Sequence, residues 1–159
     1  MMSKAGLCQL VCIILLAAFI GFSFFGEENT VKTADEIAAE VTEGMNLDGL
    51  ERFDSERLLS QLGVSGENFE SFVYYGSEDI MDVREILVIK AGEDCDTDSV
   101  TSLLVKKAEE KYNTYKDYDP VASALLEKRV IQVSKGAIIY MVHDDASVGL
   151  DAFLRCVEE

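Results

Sequence analysis

Between Ala5 and Gly26 the chain carries no charge over 22 residues, and Gln9 and Ser23 are the clearly polar members of that stretch. This lack of charge argues against a buried helix of a soluble domain. At about 1.5 Å per residue a helix of this length matches a hydrocarbon core of roughly 30 Å. The remainder of the chain is equally marked by what it lacks. It contains no CxxC pair, which excludes a zinc knuckle or a thioredoxin-type redox pair. No Gly-rich phosphate loop of the Walker or Rossmann kind occurs. Tryptophan is absent, and Pro120 and His143 are the only proline and the only histidine.

The flanks give the apolar segment a direction. Lys4 and the α-amino group precede it, while Glu27 and Glu28 follow, and positive charge tends to stay in the cytoplasm. Residues 5–26 are therefore expected to cross the membrane once, with the N-terminus cytoplasmic and the C-terminal part outside. Cleavage near Ser23, which would release a secreted protein, is the alternative, because Gly21 and Ser23 are suitably small. The run is longer than a signal peptide core of about 7–15 residues and continues through Phe24 and Phe25. A lipobox fails on position, since Cys8 and Cys12 lie at the start of the apolar run. The organisation expected is an anchor or signal peptide at 1–26, a connector at 27–32 and an acidic extracytoplasmic α+β domain at 33–159.

All 30 acidic residues follow position 26, against 13 basic ones there, which leaves that part at −17. Such a surface repels phosphate backbones, so no nucleic-acid partner is expected. Two cysteines, Cys95 and Cys156, fall in the domain. Outside a cell they could be oxidised, provided their Cα atoms come within about 7 Å, which spacing alone does not settle.

Thr33-Ala34-Asp35-Glu36 has the form of a capping box, and Ala34, Ile37, Ala38, Val41 and Met45 follow at helical spacing. A short helix is predicted over 54–62, stopped by Gly63. Asn68 to Tyr75 and Glu85 to Lys90 read as strands, the second apolar enough to be buried on both faces. The longest helix is predicted from about Thr97 to Asp117, with Lys106, Lys107, Glu109, Glu110 and Lys111 largely on its wet side. Pro120 opens another short helix. Val130 to Val133 and Ala137 to His143 form a second strand pair around Ser134-Lys135-Gly136, and Asp144-Asp145 cap a last helix. The expected fold is a two-layer α+β domain: a four-stranded antiparallel sheet of two hairpins, with helices mainly on one face.

Candidate chemistry is sparse. His143, beside Asp144 and Asp145 at a strand end, is the one weak candidate for a catalytic base, and a single imidazole does not make a site. Gly63-Val64-Ser65-Gly66-Glu67 starts like a nucleophile elbow but ends in Glu and follows a helix. Asp94, Asp96 and Asp98 are spaced like the first ligands of a calcium loop. Ser99 then replaces the turn glycine and Val105 the bidentate glutamate, so capping of the next helix explains them better. Tyr112, Tyr115 and Tyr118, with Tyr74 and Tyr75, offer an aromatic platform, although such rings more often pack on a sheet with their hydroxyls at the rim. No cofactor is expected.

The segments FVYYGSEDIMDVREILVIKAG, from Phe72, and KKAEEKYNTYKDYDPVASALLEKRVIQVSKGAIIYMVHDDAS, from Lys106, resemble an uncharacterised family of small extracytoplasmic domains of clostridial-type Gram-positive bacteria. Many of its members are predicted lipoproteins. The resemblance rests on a Glu-led apolar strand, a charged helix ending in Tyr-x-Pro, a strand pair around Lys-Gly and an Asp-rich helix start. It implies an envelope location and carries no activity or site residue with it. The expectation is a membrane-anchored, non-catalytic interaction module with an envelope protein as partner. An envelope hydrolase using His143 with neighbouring carboxylates, or a ligand or calcium sensor, stands as the alternative.

Overall fold

A computed structural model describes residues 32–158 of the chain. The expected anchor at 5–26, the cleavage position near Ser23 and nearly all of the connector at 27–32 lie outside the described residues. Among the described residues no helix is long and apolar enough to cross a membrane.

The described part is α+β. Its elements are α1 (Ala34–Val41), β1 (Glu51–Phe53), α2 (Ser55–Leu62), β2 (Phe69–Gly76) and β3 (Glu85–Ala91), then α3 (Thr97–Tyr115), α4 (Pro120–Glu127), β4 (Val130–Ser134), β5 (Ala137–Val142) and α5 (Ala146–Glu158). Local chemistry explains most of these boundaries. Thr33 and Glu36 close a reciprocal capping box at α1, with Glu36 accepting from the Thr33 amide at 2.7 Å. Asp54, Asp96 and Asp119 each accept amide hydrogens at the start of α2, α3 and α4, and Pro120 sits where a missing N–H costs nothing. Gly63 ends α2 at φ +70, a left-handed conformation that an L side chain resists. Lys135 and Gly136 both have positive φ, as the two-residue turn between β4 and β5 requires, so this loop is one residue shorter than the sequence suggested.

The sheet has five antiparallel strands in the order β1-β2-β3-β5-β4, one more than the four expected. Both expected hairpins are present, and β3 pairs with β5 to join them. The additional strand, β1, buries one side chain, Phe53, and pairs through Phe53 with Tyr74. Three residues with one inward side chain carry no alternation to detect in sequence.

The helices do not lie mainly on one face either. Alternate residues of β3 face opposite sides: Leu87 and Ile89 join one core with α2, α3 and α4, while Ile86 and Val88 join a second core with α1 and α5. β5 divides in the same way, Ile138, Tyr140 and Val142 against Ala137, Ile139 and Met141. The two-layer expectation is thus replaced by three layers, helix, sheet and helix. Two central strands that are apolar on both faces must be covered on both.

Because Gly63 holds a left-handed conformation, Gly63→Ala is expected to lower unfolding stability by about 1 kcal/mol, with the native circular dichroism spectrum retained. Urea titration of the two proteins checks this.

Candidate functional site

The most chemically distinctive place in the described residues is the first residue of β3. Glu85 shares a face of the strand with Leu87 and Ile89, so its carboxylate enters the apolar core and is 2 % exposed. Isolated there, a charge would be strongly disfavoured. Register supplies its partners. Tyr74 on β2 and Tyr140 on β5 both stand opposite Leu87, one on either side, and their hydroxyls converge on Glu85 two residues along. Tyr74 donates to Oε2 at 2.9 Å, and Tyr140 donates to Oε1. Lys111, from the third helix, places Nζ 2.7 Å from each oxygen. Gly76 lies opposite Glu85 on β2 and leaves a gap filled by the ring of Phe53, which a Cβ at Gly76 would meet at 2.6 Å.

The electrostatics follow from burial and neighbours. Desolvation first, and the adjacent Glu85 charge second, push the phenols of Tyr74 and Tyr140 far above the ordinary tyrosine range. Both therefore remain donors at any physiological pH. With two phenols and an ammonium donating to it, the carboxylate has its main acceptor positions occupied.

This network floors a cleft of about 300 Å³ between α2, α3 and the loop joining β2 to β3. Phe53, Val83 and Tyr115 supply its apolar surface. Each cation around it holds a carboxylate: Arg57 with Glu78 at 2.5 Å, Arg84 with Asp82 at 2.6 Å, and Lys111 with Glu85, while Asp79 also lines the cleft and, among the described residues, accepts only the Met81 amide hydrogen. Arg84 also donates to the Asp48 carbonyl at 2.8 Å, and its hydrogen bonds hold the Asp82 carboxyl below the usual aspartate range. The rim is apolar as well, since Ile80 is 82 % exposed and Met81 stands beside it. Tyr115 donates to the Ile80 carbonyl, which ties the loop to α3.

The residues singled out in the sequence are dispersed. His143 is buried, and the cleft is lined by other residues. Its Nε2 lies 2.9 Å from the Asn46 carbonyl, and its Nδ1 accepts the Asp145 amide hydrogen at 3.1 Å. Backbone groups thus engage both ring nitrogens, and Nδ1 also lies 3.7 Å from the Asp145 carboxylate. Asp94, Asp96 and Asp98 precede or open α3, and Asp96 accepts from the Asp98 and Ser99 amides. Among the described residues no three His, Cys, Asp or Glu side chains gather as a metal site. Cys95 and Cys156 are both free, Cys95 half-buried in the loop before α3 and Cys156 buried in the core beneath α5.

The tyrosines divide by environment. Tyr74 is core, Tyr112 donates to Glu127 at 2.8 Å, and Tyr118, at the helix end, remains exposed beside Tyr115. Lys111 differs from its expected place on the wet side of α3, being drawn in by the Glu85 charge. The signal that could have revealed the network is Glu85 itself, a carboxylate sharing a face with the apolar residues of a strand buried on both sides.

Two measurements test the network. Glu85→Ala removes one partner of a buried ion pair and leaves two phenols and an ammonium unanswered, so a loss of about 3 kcal/mol in urea unfolding is expected. The unfolded chain releases both phenolic protons near pH 10, while the folded chain keeps them. Their contribution is complete below that pH and declines above it, by about 1.4 kcal/mol per pH unit for each tyrosine. Tyr74→Phe should reduce that alkaline slope by one tyrosine's share in denaturation measured between pH 10 and 11.

Neither a curated protein nor a solved structure matches the chain. The family described as Domain of unknown function (DUF4358) matches residues 42–144, which includes all five strands, the Glu85 network and His143, and leaves α1 and α5 outside. That span is well over half of the sequence, and the chain belongs to this family of uncharacterised domains.

Proposed function

We propose that the chain is a membrane-tethered, extracytoplasmic binding module of the Gram-positive cell envelope, without catalysis of its own. The location rests on the sequence: 22 uncharged residues from Ala5 to Gly26, Lys4 before them, and Glu27 and Glu28 after. The observation that carries the functional reading is the state of the charges in the cleft. Arg57, Arg84 and Lys111 each hold a carboxylate, so every cation of the cleft is neutralised in a polar frame around an apolar patch, with Asp79 the one lining charge outside these pairs. A frame of paired charges around apolar surface suits recognition, whereas catalysis needs a reactive group held ready. Ser77 lines the cleft, but its hydroxyl accepts the Asp79 amide hydrogen at 3.1 Å and makes no hydrogen bond to a lining carboxylate among the described residues.

Alkaline phosphatase fused to the C-terminus of the full chain is expected to be active in cells, and an inactive fusion of normal abundance would sink the orientation. Purified full-length protein is expected to give no turnover of ester, peptide or phosphate substrates. Turnover that disappears in His143→Ala would move the chain to the envelope hydrolases.

A further inference from the structure

We propose that the outer edge of β4 takes up an extended, acidic segment of a partner protein as a sixth strand. This rests on the reading of the chain as a binding module, and it assigns a surface distinct from the cleft.

The edge is a template for pairing. β4 is the last strand of the sheet, and its five residues, VIQVS, pair with β5 in unbroken register without proline or charge. Ser134 and Ala137 flank the two-residue turn, so they form the hydrogen-bonded pair next to it, and alternation along the ladder turns the backbone of Ile131 and Val133 outward. Among the described residues neither has a backbone partner on that side, and the Val133 carbonyl is met only by the Gln132 side chain at 3.0 Å. Natural sheets blunt such edges with proline, bulges or charges within the strand, and β4 has none of these. The opposite edge, β1, is three residues long, and its Arg52 is ion-paired with Asp35.

Charge identifies the occupant. The described residues contain 13 basic side chains, and seven of them lie within 4.0 Å of a carboxylate. The six that do not are Lys90, Lys116, Lys128, Arg129, Lys135 and Arg155. Lys128 and Arg129 immediately precede β4, Lys135 immediately follows it, and Lys90 Nζ lies 3.5 Å from the Lys135 carbonyl. Arg129 donates to the Leu126 carbonyl at 3.0 Å and Lys135 to the Glu158 main-chain carbonyl at 3.2 Å, so neither charge is neutralised there. In an acidic domain, three of the six uncompensated cations, Lys128, Arg129 and Lys135, therefore flank the two ends of one open strand, with the buried Lys90 reaching the turn at its far end. From Arg129 to Lys135 the extended chain spans about 20 Å. A matching segment has five or so β-branched or small residues with acidic side chains at both ends, and its main chain supplies the affinity while its charges set register and partner choice.

A second copy of this chain fits poorly. Antiparallel pairing of β4 with itself would set Lys128 and Arg129 against the other copy's Lys135. Screening within about 8 Å at physiological salt leaves local charge in control of the encounter, so the acidity of the remainder does not prevent an acidic strand from docking.

The test uses the full chain in lipid nanodiscs, panned against a library of randomised nine-residue peptides. The most enriched peptide is then synthesised and followed by hydrogen exchange resolved at Val130 to Ser134. Expected are peptides with acidic ends around a β-branched centre, at least tenfold slower exchange at Ile131 and Val133, and at least tenfold weaker binding to Lys128→Glu/Lys135→Glu. Those two side chains are exposed and lie outside the strand, and an unchanged melting temperature verifies that the fold survives. Enrichment of no peptide, protection confined to the cleft, or binding indifferent to the charge reversals would each overturn the assignment. Concentration-dependent protection of the edge without peptide, with dimers in sedimentation, would overturn it in favour of a second copy. A peptide seated in the cleft would leave the binding-module reading standing while removing the edge.

Discussion

The architecture depends on two adjacent strands, β3 and β5, whose side chains are apolar in both directions. An antiparallel sheet ordinarily leaves one face to water, but here six successive residues in each strand are buried. Covering both faces calls for two helical layers, and each remaining strand completes the flanks of the central pair. α1 and α5 serve one side, and α2, α3 and α4 the other. The hydrophobic effect, being non-directional, requires the coverage and leaves to turn and cap chemistry the choice of which helix arrives where.

Glu85 and Lys90, at the two ends of β3, are the charged exceptions within that apolar slab, and the surroundings of Glu85 show how a charge is retained in a core. Its pairing with Gly76 opens the space beside it, Phe53 fills that space with an aromatic edge, and Tyr74, Tyr140 and Lys111 bring donors from two strands and a helix. Phe53 and Tyr74 meet in a T-shaped contact with centroids 5.5 Å apart, so the short first strand is tied to the same feature. A buried ion pair contributes little net stability against an apolar alternative, yet it fixes the relative placement of every element that donates to it. The cleft above Glu85 inherits that rigidity in its floor, while its rim, with exposed Ile80 and Met81, faces water.

Much of the secondary structure was legible because its signals are local. The Thr33–Glu36 capping box, the aspartates at 54 and 96, Pro120 and the glycines at 63 and 136 act within a turn of their own position. The missing strand was illegible because three residues with a single buried side chain acquire strand geometry only by pairing with β2. His143 was legible as a lone imidazole and as nothing more. Its role in bridging Asn46 to the start of the last helix involves a backbone carbonyl 97 positions away. The same holds for Lys111, whose helix periodicity suggested water while a buried carboxylate 26 positions earlier drew it inward.

By itself, the sequence determined the uncharged segment at 5–26, the acidity of residues 27–159, the order of nearly all elements and the double-sided burial of β3, since each is a property of composition or of spacing along the chain. Tertiary structure alone decided which sheet face each helix covers, that Tyr74, Tyr140 and Lys111 meet on Glu85, and that β4 is left at an open edge with unneutralised cations at its ends. An amphipathic pattern states that a surface must be buried without naming what buries it. Hydrogen bonds between distant residues exist only once strand register has brought their atoms together.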